Sequence, residues 1–141
     1  MDRTASARWE GDLKSGSGTV RLGSGAFEGK YSFGTRFENA PGTNPEELIG
    51  AAHAGCFSMA LSLALTEAGH KVNSISTDAV VHLGKVDGRS SITGIDLTTM
   101  GDVPGISAPD FERIATDVKT NCIVSRALAA VPMTIKATLA A

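Results

Sequence analysis

Cysteine is scarce in this chain, and neither acidic nor basic residues gather into a run. The formal net charge of −2 comes without a basic stripe or a basic amphipathic helix, which argues against nucleic acid and membrane surfaces as partners. Small molecules and other protein chains are the expected partners. The two cysteines, Cys56 and Cys122, lie 66 positions apart, a spacing that fits neither a CxxC redox pair nor a zinc ligand set. No other ligand cluster suggests a metal, a flavin or a haem. The N-terminal stretch MDRTASARWEGDLKSG has no apolar leader segment, so the expected compartment is the cytosol. Structural disulfides are uncommon there, so a cysteine pair is either transient and catalytic or simply two buried thiols.

What is present reads as one α+β domain over residues 1–141. ASARWEG, GTVRLG and KYSFGTRF are strand-like segments separated by Gly/Ser turns. A long helix follows, opened by TNPEE with Asn44 as N-cap, Pro45 at the first helical position and Glu46 and Glu47 at the positive end of the dipole. SISTDAVVHLGKV and SSITGIDLTTM flank a DGR turn. In APDFERIATDVKTN, residues Phe111, Ile114, Ala115 and Val118 form an amphipathic helical stripe. A short helix over CIVSRALAA and a strand over MTIKATL complete the order β-β-β-α-β-β-α-α-β, with antiparallel sheets packed around the long helix.

From Leu48 to Leu65 that helix carries no formal charge if His53 is neutral. It approaches the length of a membrane span, but its many Gly, Ala and Ser residues make it weakly hydrophobic and the flanking strands need a water-soluble core. A helix apolar on all sides should be buried on all sides. One sheet covers one side, and the small residues Gly50, Ala51, Ala52, Ala54 and Gly55 suit close approach of the same helix from a second copy. A two-fold homodimer is therefore expected, against a monomer in which both sheet layers wrap the helix.

A thiol in an apolar helix is inert unless a cation or donor lies beside it. The helix of Cys56 offers only His53; a second candidate is Arg36, expected in a strand between Phe33 and Phe37, with Glu38 or Glu47 as its carboxylate partner. Glu47 and Cys56 are nine positions apart, about 180° around an ideal helix. If both serve one site, Glu47 serves the Cys56 of a partner chain or the helix is not straight. Cys122, after Asn121 at a helix start, stands at an element end where a thiolate is favoured. The two thiols suit a peroxidatic and resolving division of labour.

TNPEELIGAAHAGCFSMALSLALTEAG, with GTRFE before it and NCIVSRAL after it, resembles the OsmC branch of the OsmC/Ohr family, as do ARWEGDLKSGSGTV and VPGI. The resemblance implies an intertwined homodimer and a thiol-dependent peroxidase preferring organic hydroperoxides, reset by a dithiol such as a lipoyl group. It implies Cys56 as peroxidatic and Cys122 as resolving cysteine, joined as a disulfide in the cycle. Arg36 would hold the thiolate and orient the peroxide, and Glu47 would hold Arg36. His53 falls outside the implied catalytic set, and Ile123 replaces the usual proline. Phe57 and the apolar helix surface would favour organic tails. Two rivals stand beside the enzyme: a non-catalytic dimer binding an apolar ligand, and a redox sensor.

Overall fold

Asp87 and Gly88 both adopt positive φ, 50° and 76°, and join the two longest strands by a two-residue turn. Asp-Gly is the sequence such a turn selects, because its handedness matches the twist of the strands it joins. In the computed structural model, which describes residues 1–141, these strands are β4 (Ser74–Val86) and β5 (Arg89–Asp102). The other elements are β1 (Ala5–Glu10), β2 (Ser17–Leu22), β3 (Glu28–Tyr31), α1 (Phe33–Phe37), α2 (Pro45–Glu67), α3 (Ala108–Asn121), α4 (Ile123–Ala127) and β6 (Met133–Leu139). The chain forms two compact units, Met1–Leu48 and Ile49–Ala141.

The first unit is an antiparallel meander, β1-β2-β3. The expected third strand over KYSFGTRF is corrected here: the strand ends at Tyr31, and Arg36 lies on helix α1. Ser32 and Thr35 explain the switch. Each side chain bonds the other's backbone N–H, at 3.3 and 2.8 Å, a capping box that starts a helical turn. Phe33 and Phe37 are then i, i+4 neighbours with ring centroids 4.9 Å apart. Read as a strand, the apolar residues of this segment gave the wrong period.

Asn44 caps α2 as expected, its Oδ1 accepting from the Glu47 N–H at 2.8 Å. The second unit is built on the sheet β4-β5-β6, and here too the sequence reading needs correction. β4 and β5 are antiparallel, but β6 runs parallel to β5. The connection from β5 to β6 holds both α3 and α4, the crossover that a parallel pair requires.

The core of this unit joins Phe57, Leu61 and Leu65 of α2 to Ile95 and Leu97 of β5 and to Phe111, Ile114, Ala115 and Val118 of α3. The predicted stripe of α3 is buried residue for residue. A polar ladder crosses the packing: Ser58 Oγ donates to Thr77 Oγ1 at 2.8 Å, Thr77 meets Thr99 at 2.9 Å, and Thr99 donates to the Ser76 carbonyl. Such a chain fixes the register of α2 on the sheet, since sliding the helix would orphan part-buried hydroxyls.

Within one chain α2 is not buried on all sides. Phe57, Leu61 and Leu65 are inaccessible, while Ala51, Ala52, Gly55, Met59 and Leu63 form an exposed apolar face. Met59 is 77% exposed and Leu63 59%, so the single chain leaves this face uncovered. Phe57 belongs wholly to the core, which removes it from the surface where an organic tail was expected to lie.

Candidate active site

In the first unit, α1 and the start of α2 build a charged pair. Arg36 Nε donates to both carboxylate oxygens of Glu46, at 3.1 and 3.3 Å, and its Nη2 donates to Oε1 at 2.8 Å. The carboxylate that holds Arg36 is therefore Glu46; the expected Glu47 is exposed and its side chain forms no ion pair. One helical residue separates the two by about 100°, enough to turn one inward and the other to solvent. Asn44 reinforces the arrangement, its Nδ2 donating to the Thr35 carbonyl at 3.1 Å and tying the helix cap to α1. The Arg36 guanidinium lies 5.4 Å from the centre of the Phe37 ring. It also lines a cleft of about 270 Å³ with Trp9, Leu13, Tyr31, Phe33 and Phe37. One cation at the wall of an aromatic cleft is suited to a ligand with a polar end and an apolar body.

In the second unit, the two thiols meet at one turn of chain. Cys56 is partly buried on α2, and its Sγ accepts from the Val124 N–H at 3.5 Å. Cys122 is 3% exposed and closes α3, its N–H bonded to the Val118 carbonyl at 2.9 Å. The same residue caps α4, its Sγ accepting from the Ser125 N–H at 3.4 Å. Val124 and Ser125 are consecutive, so adjacent amides of α4 serve the two sulfurs. Both cysteines are free thiols. The α4 helix forms with Ile123, 78% exposed, in its first position and the Cys122 sulfur as its cap.

His53, the one polar neighbour that the sequence offered Cys56, turns elsewhere. Its ring is inaccessible to solvent, and Nε2 lies 2.7 Å from Ser125 Oγ. Burial alone pushes its pKa below the ordinary histidine value. Sequence reasoning missed Ser125 entirely; a serine in a five-residue helix carries no signal before the fold sets it against α2. Glu46 was noted at the helix start but was not among the carboxylates offered to Arg36, which were Glu38 and Glu47.

A family profile described as OsmC-like protein matches residues 37–136. The chain is also 54% identical over 131 residues to the peroxiredoxin OsmC of Escherichia coli, covering 92% of each. The chain belongs to the OsmC family. Solved structures of OsmC-like and related proteins share its fold. An OsmC-like protein from Vibrio cholerae superposes with a TM-score of 0.77 at 19% identity, covering 97% of this chain and 99% of the other. The organic hydroperoxide resistance protein OhrB of Bacillus subtilis gives 0.70 at 20%, covering 97% and 98%. Cys56, Cys122 and Glu46 lie inside the segment matched by the OsmC profile, whereas Arg36 lies one residue before it.

Proposed function

We propose that this protein is a cysteine-dependent peroxidase that reduces organic hydroperoxides to alcohols, with Cys56 as peroxidatic and Cys122 as resolving residue. The observation that carries the reading is the meeting of two free thiols at adjacent amides of α4. Identity to a protein named a peroxiredoxin supports it.

In the cycle, the Cys56 thiolate attacks the distal oxygen of ROOH and the O–O bond breaks. The alkoxide takes a proton and leaves as ROH, and Cys56 becomes a sulfenic acid. Cys122 then displaces the hydroxyl as water and closes the Cys56–Cys122 disulfide. A small dithiol, such as a lipoyl group, restores both thiols by two-electron exchange. Arg36 serves the peroxide step, favouring the thiolate and stabilising the forming alkoxide, a role suited to a guanidinium already oriented by three hydrogen bonds to Glu46. The aromatic cleft beside Arg36 supports a preference for peroxides with organic tails. Residues 1–141 act as one domain in the cytosol, assembled as a homodimer. The exposed Ala51, Ala52, Gly55, Met59 and Leu63 face of α2 supports a second copy as its cover.

One equivalent of cumene hydroperoxide followed by peptide mass mapping tests the cycle. The expected product is a Cys56–Cys122 linkage within one chain. Unmodified thiols with the peroxide intact would overturn the reading.

A further inference from the structure

The peroxide step leaves one buried titratable group unused. His53 sits in the core of α2 at 0% exposure, with Nε2 bonded to Ser125 Oγ at 2.7 Å and Nδ1 without any partner. Ser125, itself 3% exposed, continues the contact to Cys122 Sγ at 3.0 Å. A half-satisfied imidazole in a core is destabilising, a cost that an apolar side chain in its place would avoid.

The chemistry of resolution supplies a use for it. A thiolate, not a thiol, attacks the sulfenic sulfur, so Cys122 must release a proton inside the core. Cys122 is 3% exposed, and the side-chain oxygen bonded to its sulfur is that of Ser125. Resting on the peroxidase reading above, we propose that Ser125 and His53 form a proton relay for the resolving cysteine, with Ser125 taking the Cys122 proton and His53 receiving one from Ser125.

The relay balances. At rest the thiol donates to Ser125 Oγ, and the Ser125 hydroxyl donates to His53 Nε2. In the step the sulfur's proton moves to Oγ while the hydroxyl's own proton moves to Nε2. The new thiolate then accepts from the Ser125 O–H and from the Ser125 N–H, the latter already 3.4 Å away. Its sulfur forms the bond to Cys56 and the S–O bond breaks. The departing hydroxide gains a proton from solvent, and the imidazolium later returns one, so the sum is thiol plus sulfenic acid to disulfide plus water. Burial keeps the ring uncharged at rest, which leaves Nε2 open as an acceptor, and the same burial makes the imidazolium short-lived; no carboxylate or cation contributes to its shift. Ser125 touches the reacting sulfur; His53 acts through it as a positioning residue.

The test separates the two halves of the cycle in stopped flow. One equivalent of cumene hydroperoxide is mixed with the full chain and with His53→Gln and Ser125→Ala. Sulfenic acid is trapped with a dione probe, and disulfide is read by mass. Both variants should form sulfenic acid at the unaltered rate but close the disulfide about 100-fold more slowly at pH 7, the lower end for loss of a general base. Closure in His53→Gln should recover as pH rises from about 6 to 9, hydroxide replacing the missing base. Closure at the unaltered rate in either well-folded variant overturns the relay, as does slowing that is equal at both ends of that range. Ser125→Ala, which deletes only a hydroxyl, carries the test if His53→Gln does not fold. Absence of both sulfenic acid and disulfide in the unsubstituted protein, with the peroxide intact, would instead overturn the peroxidase reading itself.

Discussion

The two units handle polarity in opposite ways. In Met1–Leu48 the Arg36–Glu46 ion pair is partly wet: the Arg36 side chain is 39% exposed, its partner Glu46 10%. In Ile49–Ala141 the hydrogen-bonded chain His53, Ser125 and Cys122 includes no Arg, Lys, Asp or Glu, and none of the three exceeds 3% exposure. Desolvating an ion pair costs several kcal/mol per charge, whereas a neutral relay pays only for unmet hydrogen bonds. Charge is kept where water can reach it, and protons move by hydrogen bonds where it cannot. A permanent cation suits the step in which an alkoxide forms; a neutral base suits the step in which a thiol must ionise in a dry core.

The sharpest break in that comparison comes from removing the sulfur that both steps share. Cys56→Ser should consume cumene hydroperoxide no faster than buffer, while the exposed control Ser90→Ala retains full activity in the same peroxide assay. Next in size is the charged pair. Arg36→Met should lower the bimolecular rate of sulfenic acid formation by about 10²–10³, the usual cost of losing one oriented donor at a developing oxyanion. Glu46→Gln keeps the cation but loosens it, and about tenfold is expected from the loss of charge-assisted bonds. Glu47→Gln should change the rate less than about twofold. Equal effects at 46 and 47 would mean that the Arg36–Glu46 geometry is not what governs the peroxide step.

A smaller effect separates the dry unit from the wet one by pH. Burial holds His53 below its ordinary value of 6.5, so the folded form resists a proton that the unfolded chain accepts. Stability from this residue is complete above the unfolded value and is lost as pH falls from there through the folded one. Urea midpoints should therefore decline between about pH 7.5 and 5.5, and less steeply in His53→Gln. A slope identical in the two proteins would show that the ring is not desolvated.

Much of this was open to reading before any coordinates. Asn44, Pro45 and the acidic pair announced the start of α2, Asp87-Gly88 announced the hairpin, and the spacing of Phe111, Ile114, Ala115 and Val118 announced the inner face of α3. These signals are local, set by dihedral preference or by one periodicity. All but one of the misreadings needed a partner distant in sequence. Nothing local tells Glu46 from Glu47 as the partner of Arg36, ten and eleven positions away, because both meet the requirement of a helix N-terminus equally well. The parallel seat of β6 depends on where its crossover returns it, and the contact of Ser125 with His53 spans 72 positions. The helix of Arg36 was a local signal overlooked: Ser32 and Thr35 stand three apart, but threonine in place of Glu or Gln makes the box easy to miss.

The smallest predicted effect concerns Ile123, where the resemblance read from the sequence led to the expectation of a proline. Cys122 has φ −62° and ψ 150°, extended values that a residue preceding proline readily adopts. Ile123 is the first residue of α4, where the N–H has no helical acceptor, so proline removes no bond there. Its side chain is 78% exposed, and little packing is lost on replacement. Ile123→Pro should thus stabilise the chain by about 0.4–1 kcal/mol, chiefly by restricting the unfolded state, measured as a rise in urea midpoint at unchanged slope. Disulfide closure should change little, because the Ser125 N–H and O–H contacts that orient the Cys122 sulfur already exist without proline. A large gain in closure rate would mean instead that the Cys122 turn is loose in solution and that the sulfur cap alone does not hold it.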